Sequence, residues 1–104
     1  MYARHVSIHL KSNVLSDYTR TFENDTLPLL RQQKGFKDEI TLSNPGSLDV
    51  VAISLWESKA NAEAYNTNTY PQVLRTLERM IDGAPKVQTF EAVTSTFHKL
   101  AVAA

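Results

Sequence analysis

Between Leu48 and Ile81 the chain reads LDVVAISLWESKANAEAYNTNTYPQVLRTLERMI, and this stretch restricts the fold more than any other. It begins with a strand, Leu48 to Trp56, in which Val51, Ile53 and Leu55 point one way while Val50, Ala52 and Trp56 point the other. A strand that is apolar on both faces has to be covered on both. Ser58 then offers its side-chain oxygen to cap a short helix from Lys59 to about Asn66, and the polar run Asn66, Thr67, Asn68 breaks it. Thr69 and Gln72 have the spacing of a capping box, and Pro71 falls in a first turn, where its missing N–H costs nothing. Tyr70, Val73, Leu74, Leu77, Met80 and Ile81 follow in three- and four-residue steps, so a second helix buries one apolar stripe. At about 1.5–3 kcal/mol per side chain, that stripe contributes roughly 10 kcal/mol before entropy is subtracted. Gly83 and Pro85 end the helix.

The remaining elements fit around this unit. From Ala3 to Leu10, Val6, Ile8 and Leu10 alternate with His5, Ser7 and His9, the period of a half-buried first strand. Ser12 and Asn13 are cap residues for a following helix whose Val14, Tyr18 and Phe22 form a stripe, with Asp17 at the positive end of its dipole. Pro28 interrupts that helix, Asp25 or Thr26 recaps a second piece through Leu29 and Leu30, and Gly35 stops it in the left-handed region. Phe36 to Ser43 alternates again, with Phe36, Ile40 and Leu42 on one face and Lys37, Glu39 and Thr41 on the other. Asn44, Pro45, Gly46 and Ser47 form a turn that makes this second strand a hairpin with the third. The last strand runs from Lys86 to about Phe97.

Strand, helix, strand, strand, helix, strand is the α+β, ferredoxin-like βαββαβ order, an antiparallel four-stranded sheet with its first and third strands in the centre. Both helices then cover one face. Apolar residues of the third and last strands remain on the other, and a second copy of the chain is the simplest lid, which predicts a homodimer. With 104 residues the chain is one domain, with a core from about residue 3 to 97. Its 11 basic and 11 acidic residues cancel and form no run, which argues against nucleic acid as a partner. No cysteine means no disulfide, thiolate nucleophile or Cys-based metal site. The N-terminal MYARHVSIHL lacks the apolar core of a signal peptide, and nothing reads as spanning a membrane, so a cytoplasmic location is expected.

Two segments, LWESKANAEAY and LPLLRQQKGF, carry a likeness to known proteins. With them the chain, from about Ala3 to Phe97, resembles the antibiotic biosynthesis monooxygenase family of dimeric α/β barrel proteins. The resemblance implies a pocket between sheet and helices in each subunit. In some members of the family such a pocket oxidises phenols or quinols with dioxygen and with no flavin, haem or metal, so no cofactor is expected here. An electron-rich phenol, once deprotonated, gives an electron to oxygen itself; the protein supplies a base or hydrogen-bond partner and keeps water out. A haem-degrading branch uses an Asn, a Trp and a His at positions that look like Val6, Tyr65 and Arg75 here. None matches, which argues against haem degradation.

On this reading the candidate catalytic residues are His9, as a base titrating near neutral pH, and Tyr70. Trp56, Tyr65, Arg75 and Phe22 are the candidate substrate-binding residues. Trp56 would wall a ring, Tyr65 and Tyr70 would orient a substrate oxygen from either side of the inter-helix break, and Arg75, one turn from Arg79, would hold a carboxylate. Core packing and a solvated helix face are the plainer roles for the same residues. His5 and His9 lie roughly 13 Å apart along a strand, too far to share a metal ion. His98 adds a third imidazole without a neighbouring carboxylate, so no metal site is expected. If the helices cover Val6, Ile8 and Leu10, the histidines face the dimer interior and not the pocket. The substrate expected is a small aromatic, phenolic or quinol-like molecule. The alternatives are a non-catalytic binding protein for a small apolar ligand, and a dimer whose pocket is filled by its own side chains.

Overall fold

The computed structural model describes residues 1–100; the final four, within the Leu100–Ala104 tail, lie outside it. Four strands, β1 (Tyr2–His9), β2 (Phe36–Ser43), β3 (Asp49–Trp56) and β4 (Lys86–Glu91), form one antiparallel sheet in the order β2-β3-β1-β4. The first and third strands are central, as the crossover argument requires. The helices are α1 (Leu15–Thr21), α2 (Leu27–Arg31), α3 (Lys59–Asn68) and α4 (Tyr70–Leu77). They cover the face that carries Val6, Ile8, Val50 and Trp56, all buried. No helix among the described residues is long and apolar enough to cross a membrane.

Several local expectations change for identifiable reasons. Ser12 and Asn13 do not cap α1: Asn13 takes the left-handed conformation at φ 61°, and Val14 holds the N-cap position with no side-chain bond. Pro28 does not break the helix. A π turn over Phe22–Thr26 precedes it, with the Leu27 N–H bonded to Phe22 O, and Pro28 sits in the first turn of α2, where it has no donor to lose. Asn66 does not end α3, because Arg4 Nη2 donates to its side-chain Oδ1 at 2.8 Å and removes it from competition with the backbone. Thr69 caps nothing with its side chain, which donates to Gln33 Oε1. Ser58 does cap α3, accepting from Asn61 N at 3.2 Å.

Two corrections affect the faces of the sheet. A bulge between Phe36 and Asp38 pairs Phe36 with Trp56 on the helix side but leaves Ile40 and Leu42 opposite Ile53 and Val51 on the bare side. One inserted residue reverses which way the strand's side chains point, so Phe36 does not share a face with Ile40 and Leu42. Glu39 and Thr41 therefore face the helices, opposite Ser54 and Ala52. The last strand ends at Glu91 and not near Phe97. Its final rung is the Ala92 N–H to Met1 O bond, after which β1 offers no partner. The chain then returns over the bare face, where Phe97 borders a hollow with Ile40, Ile53 and Leu55, and the His98 ring meets Asp38.

Candidate functional site

A cavity of about 40 Å³ lies between the sheet and the helices. Its floor is a transverse row across the sheet: Glu39 on β2 pairs with Ser54 on β3, which pairs with Arg4 on β1. Period-two alternation points all three toward the helices, as it does Val6 and Ile8. The roof is aromatic, with Tyr18 and Phe22 from the α1 segment stacked at 5.9 Å and Tyr65 and Tyr70 from α3 and α4 tilted at 6.1 Å. Tyr18, Phe22 and Glu39 also line an open cleft of about 310 Å³ between α1 and the β2 edge. Arg4 lines a second open cleft, of about 450 Å³, with Tyr2, Lys59 and Asn66. The inner cavity exceeds the ~10–15 Å³ that one water needs but falls well below the ~150 Å³ of an apolar cavity that takes up benzene. An aromatic ring therefore enters only by displacing side chains or by occupying a cleft as well.

Arg4 dominates the electrostatics. It is 3% exposed, and its guanidinium lies 5.0 Å from the Tyr65 ring centroid and 4.5 Å from that of Tyr70. Burial pushes the Tyr65 hydroxyl up to about 12, with the Arg4 charge pulling the other way, and raises Tyr70 for the same reason. Tyr18 is also raised by burial, with Glu39 adding to the effect. All three phenols are neutral hydrogen-bond donors at neutral pH, and the hydroxyls of Tyr18 and Tyr70 are buried without a protein partner. Burial likewise raises the Glu39 carboxyl, opposed by the Thr41 hydroxyl, which donates to its Oε2 at 2.7 Å.

The six sequence candidates divide evenly. Phe22, Tyr65 and Tyr70 line the cavity. Trp56 is fully buried and stands behind Tyr65, stacked at 5.0 Å, so it supports the wall without forming it. Arg75 is exposed on α4, away from the cavity lining. His9 is not a base for this cavity: it points to the opposite face of the sheet, where Nδ1 meets Asp49 Oδ1 at 2.8 Å. His5 shares that face, edge-on to Phe90 at 6.3 Å, as the alternation of β1 requires once Val6 and Ile8 are buried. No cluster of three metal-ligating side chains occurs among the described residues.

Arg4, Glu39 and Tyr18 were not among the candidates. Arg4 had a signal: it stands two residues before Val6 and four before Ile8, so a charged side chain shares the face of a buried run. Glu39 had a weaker one, since its face follows from the bulge.

The sheet order and the helices on one face make an α+β ferredoxin-like fold, the fold of solved proteins described as antibiotic biosynthesis monooxygenases. The cofactor-independent oxygenase SnoaB from Streptomyces nogalater superposes with a TM-score of 0.76 at 12% identity, over 91% of this chain and 95% of that one. An antibiotic biosynthesis monooxygenase gives 0.72 at 12% identity, over 90% and 100%. A protein of unknown function from Nitrosomonas europaea gives 0.71 at 17% identity, over 98% and 95%. No protein-family model matches the sequence, and no curated protein matches it.

Proposed function

We propose that this protein is a cofactor-independent monooxygenase acting on a small phenolic or quinol-like aromatic substrate. The observation that carries the reading is the tyrosine-roofed cavity with a buried arginine in its floor, in a fold shared with an oxygenase that needs no cofactor. Phe22 and Tyr65 hold the ring, Tyr70 donates its free hydroxyl to a substrate oxygen, and Trp56 keeps Tyr65 in place. The deprotonated substrate is the electron donor to dioxygen. Oxidation of a ring C–H of the phenol to a quinone carbonyl then consumes one dioxygen, placing one oxygen atom in the product and the other in water with the two hydrogens lost from the substrate's O–H and C–H.

A homodimer belongs to the same proposal. The bare sheet face presents Ile40, Leu42 and Phe90, each about half exposed, beside Val51, Ile53 and Leu55 of β3. A second copy seated there removes this apolar surface from water.

The test is oxygen uptake by the purified, metal-free protein with a panel of dihydroxyphenols, anthrones and quinols, against a heat-denatured control. Uptake above control with an oxygenated product is expected. Silence across the panel, with thermal stabilisation by the same compounds, would replace the oxygenase reading with that of an apolar ligand-binding protein.

A further inference from the structure

Arg4 is the only charged side chain that is buried among the described residues, and it has no carboxylate partner there. A guanidinium carries five N–H donors. One well-formed hydrogen bond to protein is made, from Nη2 to Asn66 Oδ1, and the Tyr70 hydroxyl stands beside the guanidinium, which leaves donors over. The rings of Tyr65 and Tyr70 compensate part of the loss of water, but a buried cation is fully compensated only by an anion with hydrogen bonds to its remaining donors. Glu39 does not fill that role. It lies two strand spacings away along the Arg4, Ser54, Glu39 row, about 10 Å at the backbone, at the mouth shared with the cleft. The row thus places a cation and a carboxylate on one floor, flanking Ser54.

We propose that Arg4 is the anion-binding residue of the cavity and Glu39 the proton acceptor facing it, so that a phenol or enol entering from the cleft is held as its oxyanion. The substrate O–H bond breaks, its electron pair stays on the oxygen beside Arg4, and the proton forms an O–H bond on the Glu39 carboxylate. No oxidant takes part in this step. Thr41 bonds only Oε2 of Glu39, so Oε1 remains to take the proton. The titratable groups facing Arg4 are Tyr65 and Tyr70 from α3 and α4, Tyr2 from its own strand, and Tyr18 and Glu39 across the cavity. Lys59 and Glu63 share its outer cleft and pair with each other at 3.8 Å. β4 sets the uncharged Thr89 beside it. The assignment deepens the oxygenase reading and draws its substrate class from it.

Visible absorbance of para-nitrophenol, whose phenolate alone absorbs strongly in the visible, tests the site without turnover. Bound to the protein, the dye should ionise at lower pH than free dye. Arg4→Gln should abolish that depression and Arg4→Lys should retain it. In buffers of differing ionisation enthalpy, calorimetry near neutral pH should find no proton released on binding to the wild type and release from Glu39→Gln. No binding, an unshifted or raised dye pKa in the wild type, or an undiminished depression in Arg4→Gln overturns the assignment to Arg4. Equal proton release with and without Glu39 overturns the assignment to that residue. If Arg4→Gln fails to fold, the wild-type and Arg4→Lys titrations still decide. Depressed dye ionisation without oxygen uptake on any phenol would keep the anion site and remove the oxygenase reading.

Discussion

The indole of Trp56 donates a hydrogen bond from Nε1 to Ser54 Oγ at 2.9 Å, two residues back on the same strand. Both residues are buried, and the bond fixes the ring that stacks on Tyr65. The cavity wall therefore depends on a serine in its floor. Ser54→Ala leaves the indole N–H buried without a partner, and a loss of about 1–3 kcal/mol is expected in urea unfolding. Its thermal cost should be matched by weaker phenol binding, because Tyr65 loses its backing.

Tyr18 gives the opposite sign. Its hydroxyl is buried with no protein partner, so Tyr18→Phe removes an uncompensated polar group and keeps the stacked ring. Stability should be unchanged or rise by about 1 kcal/mol. A fall in the urea midpoint would mean that the hydroxyl has a partner in the cavity. Tyr70→Phe should be equally mild in unfolding yet lower turnover of a phenolic substrate.

Alkaline pH should unfold the protein through its buried phenols. Tyr65 titrates at about 12 in the folded chain, above the ~10 of an exposed tyrosine, because burial penalises the phenolate more than Arg4 favours it. Between those values the folded state holds more protons than the unfolded one. Stability is thus intact below the unfolded value and is lost as pH rises through the folded one. Urea midpoints measured with tyrosinate absorbance should fall steadily across that window. In Arg4→Gln, Tyr65 should titrate later still.

Gly35 sits at φ 79°, and its carbonyl accepts from Glu57 N at 2.7 Å, joining the end of α2 to the end of β3. A Cβ there would collide with the Asn61 side chain, which is bonded to the Ser58 cap. Gly35→Ala combines backbone strain with a displaced cap, and a loss of about 1–3 kcal/mol in chemical denaturation is expected.

Light scattering checks the second copy. The wild type should show twice the chain mass of 11.7 kDa at micromolar concentration. Leu42→Lys sets a charge on the β2 edge of the bare face without touching the cavity, and should shift the mass toward one chain. A wild-type mass of one chain at the outset would remove the dimer.

The sequence by itself determined the element order, the central position of β1 and β3, the Ser58 cap, the Gly35 stop and the hairpin at Asn44–Ser47. Each follows from local periodicity or from the conformational limits of single residues. It also marked Phe22, Tyr65 and Tyr70, since aromatic residues on helix faces that meet a sheet line whatever space remains there. Tertiary structure decided which side of the sheet those faces meet, and so removed His9 from the cavity and placed Glu39 in it. His9 is excluded because the helices cover the Val6 and Ile8 face of β1, and Glu39 enters because of the bulge at Phe36 to Asp38: one residue out of register reverses a strand's faces, and strict alternation in the sequence does not mark where the slip falls. Arg4 shows the same limit at longer range. Its partner Asn66 lies 62 residues away, and its tyrosines come from two other elements. Its place on the Val6 and Ile8 face is legible in β1, but the groups that enclose it are brought together by packing, not by neighbours along the chain.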